Sequence, residues 1–142
     1  MLLHSNYCKP PNKNLARYAK SLYARKHECQ LVARQVVHQD NWQPQPNRCH
    51  SNALILETFG LGYKAVHGWL FVDFDSTRDF VRFTAHSVVM TAEGQLLDVT
   101  PYPPGAPWYL FIAADLNNTD YEAVLDTLLK KFGTTECLDY LI

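Results

Sequence analysis

Three stretches rich in β-forming residues follow one another with only short connections between them. They cover residues 64–74, 80–90 and 95–100, and Val, Phe, Trp, Leu and Thr are frequent in them. The connections, residues 75–79 and 91–94, are too short for the crossover helix that joins parallel strands. The sequence therefore predicts an antiparallel β-meander.

Helical patterns precede this meander. Apolar residues recur at helical spacing from Leu15 to about His38, which predicts one long helix or two helices broken near residues 26–28. Residues 39–48 form a loop rich in Pro and Gln, because two prolines disfavour helix at the residues before them. A short helix is predicted to begin at Cys49, directly after this loop.

Glycines and caps mark the ends of the remaining helices. Gly60 and Gly62 end the short helix, and Gly133 ends a last helix that begins with a capping box from Thr119 to Glu122. The tail after this helix is apolar enough to dock on the rest of the protein. The predicted class is α+β: N-terminal helices, a central helix with a cysteine at its N-terminus packed on an antiparallel meander, and a C-terminal helix.

Composition limits the class of protein further. The chain has 142 residues, of which 47% are hydrophobic, so we expect one domain over the whole length. With 13 basic and 14 acidic side chains, nothing favours nucleic acid as a partner. There is no long apolar run and no signal-like start, so we expect no membrane association and a cytoplasmic protein. The sequence leaves the oligomeric state open and gives no reason to expect a cofactor.

The chain contains four cysteines, Cys8, Cys29, Cys49 and Cys137. Their gaps are wide and no C-x-x-C pair occurs, which argues against a zinc ribbon or a dense disulfide framework. Free thiols are therefore expected, although two disulfides remain an alternative.

One of these cysteines has the setting of a nucleophile. Cys49 lies at a predicted helix N-terminus, which lowers the pKa of a thiol. His86 and Asp98 each interrupt an apolar strand, where a polar side chain needs a partner. They are twelve positions apart, so a hairpin with an odd-length loop puts them on one face as diagonal neighbours. The pattern predicts Cys49 as nucleophile, His86 as general base and acid, and Asp98 as the residue that orients the imidazole.

Each of these residues also has an ordinary structural interpretation. Cys49 fits a core position, His86 fits a satisfied strand histidine, and Asp98 fits a turn at a strand end. His50 and His67 are rivals for the imidazole, although successive helical residues point apart. A zinc site built from the cysteine and these three histidines is a further alternative, but the usual ligand spacing is missing.

Four short motifs resemble the papain-like and transglutaminase-like thiol enzymes. They are Cys49-His50-Ser51-Asn52, Gly68-Trp69, Ala85-His86-Ser87-Val88 and Asp98-Val99-Thr100-Pro101, and they look like those of small, largely uncharacterised bacterial proteins that carry them in this order. The resemblance covers roughly residues 43 to 101. It implies a cysteine at a helix N-terminus packed on an antiparallel sheet, with histidine and acid on consecutive strands.

The resemblance also implies amide chemistry through a thioester intermediate on Cys49. Papain-like enzymes carry an oxyanion-binding glutamine six residues before the cysteine, where this chain has Gln43, with Gln45 as a competitor. Trp69 is expected to line the substrate cleft. The implied function is a thiol hydrolase or amidase acting on a peptide or protein amide or a glutamine side chain. The alternative is a non-catalytic peptide- or protein-binding domain of the same fold.

Overall fold

The computed structural model describes residues 6–74, 79–133 and 135–142. Within these ranges the class is α+β, with three α-helices and a mixed sheet of six strands. The helices are α1 (Lys13–Ala24), α2 (Cys49–Thr58) and α3 (Asn118–Phe132). The strands are β1 (Ala33–Arg34), β2 (Lys64–Asp73), β3 (Phe80–Met90), β4 (Leu96–Asp98), β5 (Leu110–Ala113) and β6 (Cys137–Leu141). None of the helices in these ranges combines the length and apolar character needed to cross a membrane.

The predicted meander is confirmed in β2, β3 and β4, which pair antiparallel in chain order. The full strand order is β1-β4-β3-β2-β5, and β6 pairs with β3 beyond the end of β4. Docking of the C-terminal tail was expected, and it takes the form of this strand. The turn predicted at residues 75–79 lies outside the described residues, except for Asp79.

The strands close into a barrel-like ring. β1 pairs in parallel with β4, where Ala33 lies opposite Leu97. Shortly before β1, Gln30 exchanges two backbone hydrogen bonds of 2.9 and 2.8 Å with Phe111 of β5. Residues 30–34 therefore pair with β4 through β1 and with β5 through Gln30, which links the two ends of the strand order. Val32, from the same segment, is buried against Val88 and Phe111 in one of the three apolar clusters.

The predicted second N-terminal helix is wrong. α1 ends at Ala24, a 3-10 turn covers Lys26–Glu28, and the chain then runs extended into β1. The β-branched Val32 favours this conformation, and the two bonds of Gln30 fix it. α1 begins directly after its N-cap Asn12, whose side chain accepts the Leu15 N–H at 2.9 Å.

The helices cover the other face of the sheet. α1 and α3 pack on a large cluster centred on Trp69, Phe83 and Leu138. α2 packs through Ala53 and Leu56 on a separate cluster formed with the ends of β3 and β4. The N-cap of α3 is Asn117, two residues before the predicted cap Thr119, and its side chain accepts the Asp120 N–H at 2.8 Å.

Candidate functional site

The site lies at a break in the pairing of β3. On one edge of this strand, β6 pairs with Phe80–Thr84 and β4 pairs with Val89 and Met90. Among the described ladders, His86, Ser87 and Val88 have only β2 as a strand partner. The N-terminus of α2 lies against this break, and its first two residues contact side chains of β3.

α2 begins at Cys49, as the sequence predicted. The residue before it, Arg48, gives α2 no side-chain cap, and its carbonyl accepts the Asn52 N–H at 2.8 Å. The first-turn N–H groups therefore lie next to the thiol without a capping side chain. Such a terminus carries a partial positive charge that favours a thiolate.

Asn52 ties the loop before α2 to the strand end that carries Asp98. This amide is only 2% exposed. Its Nδ2 donates to the Gln45 carbonyl at 2.8 Å and to the Thr100 hydroxyl at 3.0 Å, and its Oδ1 accepts the Gln45 N–H at 2.9 Å. These three bonds fix α2 relative to β4, which sets the distance between the thiol and the residues of the sheet.

The predicted contact between His86 and Asp98 is present. His86 Nε2 lies 2.8 Å from Asp98 Oδ2, and each residue is 6% exposed. The last ladder pair of the β3–β4 hairpin is Met90 with Leu96, and the Thr91 N–H donates to the Gln95 carbonyl at 2.8 Å beyond it. The connection is therefore odd in length, as predicted, and both side chains share one face. Because Asp98 occupies Nε2, Nδ1 is left for proton exchange with the thiol.

Tyr102 is a second hydrogen-bond partner of this pair. Its hydroxyl donates to Asp98 Oδ2 at 2.6 Å and lies 3.1 Å from His86 Nε2. Arg34 stacks its guanidinium 4.0 Å from the ring centroids of both Tyr102 and Trp108, and it donates to carbonyls of the same loop. The loop after β4 is therefore held so that Tyr102 faces the carboxylate.

Cys49 and His86 shift each other's protonation. Burial alone would raise the pKa of the Cys49 thiol, but hydrogen bonds and charges from His50 and His86 lower it to about 6. Burial alone would lower the pKa of His86, but its bonds to Asp98 and Cys49 raise it to about 9. The pair can therefore exist as thiolate and imidazolium at neutral pH.

A second group of polar side chains lies beside the thiol, and its members are linked through Ser87 of β3. Nδ1 of His50 and Nδ1 of His67 each lie 2.6 Å from the hydroxyl oxygen of Ser87. His50 Nε2 lies 3.8 Å from Glu136 Oε1. His67 stacks on the ring of Tyr121, with centroids 4.9 Å apart.

A cleft of about 530 Å³ opens at the thiol. Cys49, His50 and His86 lie in its wall, together with Glu136 and residues of the loop that contains Tyr102. Cys49 is partly exposed. A ligand that enters this cleft therefore contacts Cys49.

Two predicted site residues lie elsewhere, and these predictions are corrected. Trp69 has no exposed surface and donates its indole N–H to Tyr18 at 2.9 Å, so it is part of the core beneath the helices. Gln43 is exposed and lines a separate depression of about 390 Å³ with His38 and Trp42. The bends of the Pro-rich loop carry Gln43 away from the thiol, so the six-residue offset does not bring it to the cleft.

Sequence reasoning named His50 only as a rival of His86 for the imidazole, and it did not name Ser87 as a contact of this site. The rule that successive helical side chains point apart counted against His50. This rule is weak at the first turn, where Cys49 and His50 both face β3. The signal was in the sequence, since His50 and Ser87 each directly follow a residue of the predicted triad.

The four cysteines are free thiols. Within the described ranges, no group of three or more His, Cys, Asp or Glu side chains is arranged to hold a metal ion. Comparisons with protein-family models, with curated proteins and with solved structures found no match to this chain.

Proposed function

We propose that the protein is a thiol hydrolase or amidase in which Cys49 attacks the carbonyl of a peptide, protein or glutamine side-chain amide. One observation carries the proposal: Cys49 and His86 lie in the wall of the same open cleft, where each shifts the pKa of the other, and His86 is bonded to Asp98 at 2.8 Å. The order of these residues and the helix N-terminus at the cysteine also resemble papain-like and transglutaminase-like enzymes.

Acylation starts from the thiolate. The sulfur attacks the carbonyl carbon, and the C=O electrons move to oxygen to give an oxyanion. The Cys49 backbone N–H, in the first turn of α2, is a fixed donor for this charge. His86 then gives its proton to the departing nitrogen, the C–N bond breaks, and a thioester remains on Cys49.

Deacylation uses the same imidazole in its neutral form. His86 takes a proton from water, the oxygen attacks the thioester, and the C–S bond breaks to return the thiolate. Asp98 keeps the ring oriented in both half-reactions and stabilises the imidazolium. An amine in place of water would give acyl transfer by the same steps.

The test is acylation by p-nitrophenyl acetate, an activated ester that needs no specific recognition. We expect one acetyl group on Cys49, detected by mass spectrometry, and a slow release of acetate. A His86→Gln variant keeps a donor for Asp98 but cannot act as base, so its acetyl-enzyme should persist. Cys137→Ser is the matched control, since Cys137 is buried in β6.

Substrate class is assayed with glutamine-containing peptides. Release of ammonia with an intact backbone indicates deamidation, and new peptide termini indicate peptidase activity. If Cys49 is acetylated no faster than Cys8 or Cys29, the proposal is wrong and the non-catalytic binding domain becomes the better interpretation.

A further inference from the structure

Cys49 has a second imidazole partner that the mechanism above does not use. The ring of His50, like that of His86, lies with Cys49 in the wall of the cleft and lowers the pKa of the thiol. His50 has supporting contacts of its own: Nδ1 lies 2.6 Å from Ser87 Oγ, and Nε2 lies 3.8 Å from Glu136 Oε1. Both imidazoles at the sulfur are therefore oriented by polar neighbours.

The Ser87 hydroxyl links His50 to a third histidine. Its oxygen lies 2.6 Å from Nδ1 of both His50 and His67. One hydroxyl has one hydrogen to donate, so the arrangement that satisfies all three groups has one ring donating to Oγ and the other ring accepting from it. Ser87 is 1% exposed, and little water reaches it to replace either bond.

The surroundings decide which ring donates. Groups of every element packed against His50 bear on its charge: Cys49 of α2, His86 of β3, His67 of β2, Tyr121 of α3 and Glu136 just before β6. Burial lowers the pKa of His50, but Cys49 and Glu136 outweigh burial and His86 and raise it overall.

His67 is shifted in the opposite direction. Burial and the His50 charge lower its pKa, and this outweighs the attraction of Glu122 and Glu57. Neutral His67 therefore accepts the Ser87 O–H, and Ser87 accepts the N–H of His50. This direction of donation keeps a proton on Nδ1 of His50, the ring nitrogen that faces Ser87.

We propose that His50 is a second catalytic acid–base residue at Cys49, and that Ser87 and His67 are positioning residues that fix the proton on His50 Nδ1. This rests on the proposed thiol chemistry and adds a second proton acceptor to it. When the thiol ionises, the S–H bond breaks, both electrons stay on sulfur, and the proton forms an N–H bond on either the His86 or the His50 ring. With the proton on His50, His86 stays neutral and is available as a base.

The first test measures the ionisation of Cys49 from the pH dependence of alkylation by iodoacetamide, read at each cysteine by mass spectrometry. The variants are His86→Gln, His50→Asn and the double variant. Asn places an amide where Nδ1 bonds Ser87, so the contact is kept while titration is lost. His27→Asn on the exposed 3-10 turn is the matched control.

We expect each single variant to keep the Cys49 midpoint below that of an ordinary thiol, which is about 8.5, and only the double variant to reach it. If His86→Gln alone gives the ordinary midpoint, the role of His50 is refuted and the His86 mechanism stands. If His50→Asn alone gives the ordinary midpoint and His86→Gln leaves the midpoint unchanged, the proposed triad is refuted instead. Circular dichroism shows whether each variant is folded. If His86→Gln is unfolded, His86→Asn is used in its place.

The second test follows the histidine rings by NMR in Ser87→Ala. His50 loses the acceptor of its N–H, so its pKa should fall, and His67 loses a donor to its neutral form, so its pKa should rise. The two titrations therefore move towards each other. If the two pKa values shift in the opposite directions, or do not shift, the assigned direction of donation is wrong. A structural change alone does not predict a fall at His50 together with a rise at His67.

Discussion

Asp98 Oδ2 accepts hydrogen bonds from two groups at once, His86 Nε2 at 2.8 Å and the Tyr102 hydroxyl at 2.6 Å. Asp98 Oδ1 also faces the Thr100 N–H at 3.3 Å. A carboxylate that is 6% exposed and accepts from three donors is fixed in its orientation. The orientation of His86 therefore follows from the loop after β4 as much as from β4 itself.

Asp98→Asn keeps the size of this side chain but removes its charge. The imidazolium of His86 then loses its principal stabilising partner, and the ring can bond the amide in the wrong tautomer. We expect the rate of acetyl transfer from p-nitrophenyl acetate to fall by about 10²- to 10⁴-fold, the usual contribution of acid–base catalysis. A loss below threefold in a folded variant would contradict the role given to Asp98.

The pH dependence of amide turnover should be bell-shaped. As the pH falls through about 6, the Cys49 thiolate takes up a proton and loses its nucleophilicity. As the pH rises through about 9, His86 loses the proton that the leaving nitrogen needs. The two limbs belong to the coupled pair rather than to one residue each.

An activated ester provides the control for this profile. Its p-nitrophenolate leaving group needs no proton, so acylation should keep the limb near 6 and lack the limb near 9. Single-turnover release of p-nitrophenolate, measured at fixed ionic strength, tests this. A fall of the ester rate above 9 would show that His86 does not act as the acid for the leaving group.

The meander and the His86–Asp98 contact could be predicted because both depend on local rules. Short connections force antiparallel pairing, and an odd-length loop puts residues at an even offset on one face. The barrel closure could not be predicted, since it depends on bonds between Gln30 and Phe111, which are remote in sequence. Residues 29–38 have apolar spacing that also suits a helix, and tertiary pairing decides against it.

The structure brings Cys49, His86 and Asp98 together, as the sequence predicted, whereas Gln43 and Trp69 lie away from the cleft. Cys49, His86 and Asp98 meet because α2 and two strands are packed together. Gln43 was assigned by its distance along the chain, which says little across a loop with two prolines. Trp69 follows Gly68 in a strand whose faces alternate, so its side chain lies among the helices.

Trp69→Phe should lower stability without changing the thiol. The variant removes the indole N–H that donates to Tyr18 and leaves part of a fully buried volume empty, at a cost of about 2 kcal/mol. Urea denaturation measures this loss, and alkylation should give the wild-type Cys49 midpoint. Unchanged stability with slower acylation would instead indicate that Trp69 acts in the site. Gln43→Ala should change neither the stability nor the Cys49 midpoint.

Gly68→Ala should be the most damaging small substitution on β2. An added Cβ would lie 2.2 Å from the Ile112 carbonyl oxygen and 2.7 Å from the Phe111 ring, both on β5. Since β5 is held on its other edge by Gln30, it cannot move away without opening the ring of strands. We expect a loss of about 3 kcal/mol in the free energy of unfolding, at the upper end of overpacking costs.

Gly94→Ala separates this clash from the general effect of replacing a glycine. Gly94 has a φ of +86° and no atom within 4 Å of an added Cβ, so only backbone strain opposes the substitution. Its cost should stay near 1 kcal/mol. Equal losses for the two variants, measured by urea denaturation, would mean that β5 yields at Gly68, and the closure of the ring at Gln30 would then be weaker than its two hydrogen bonds indicate.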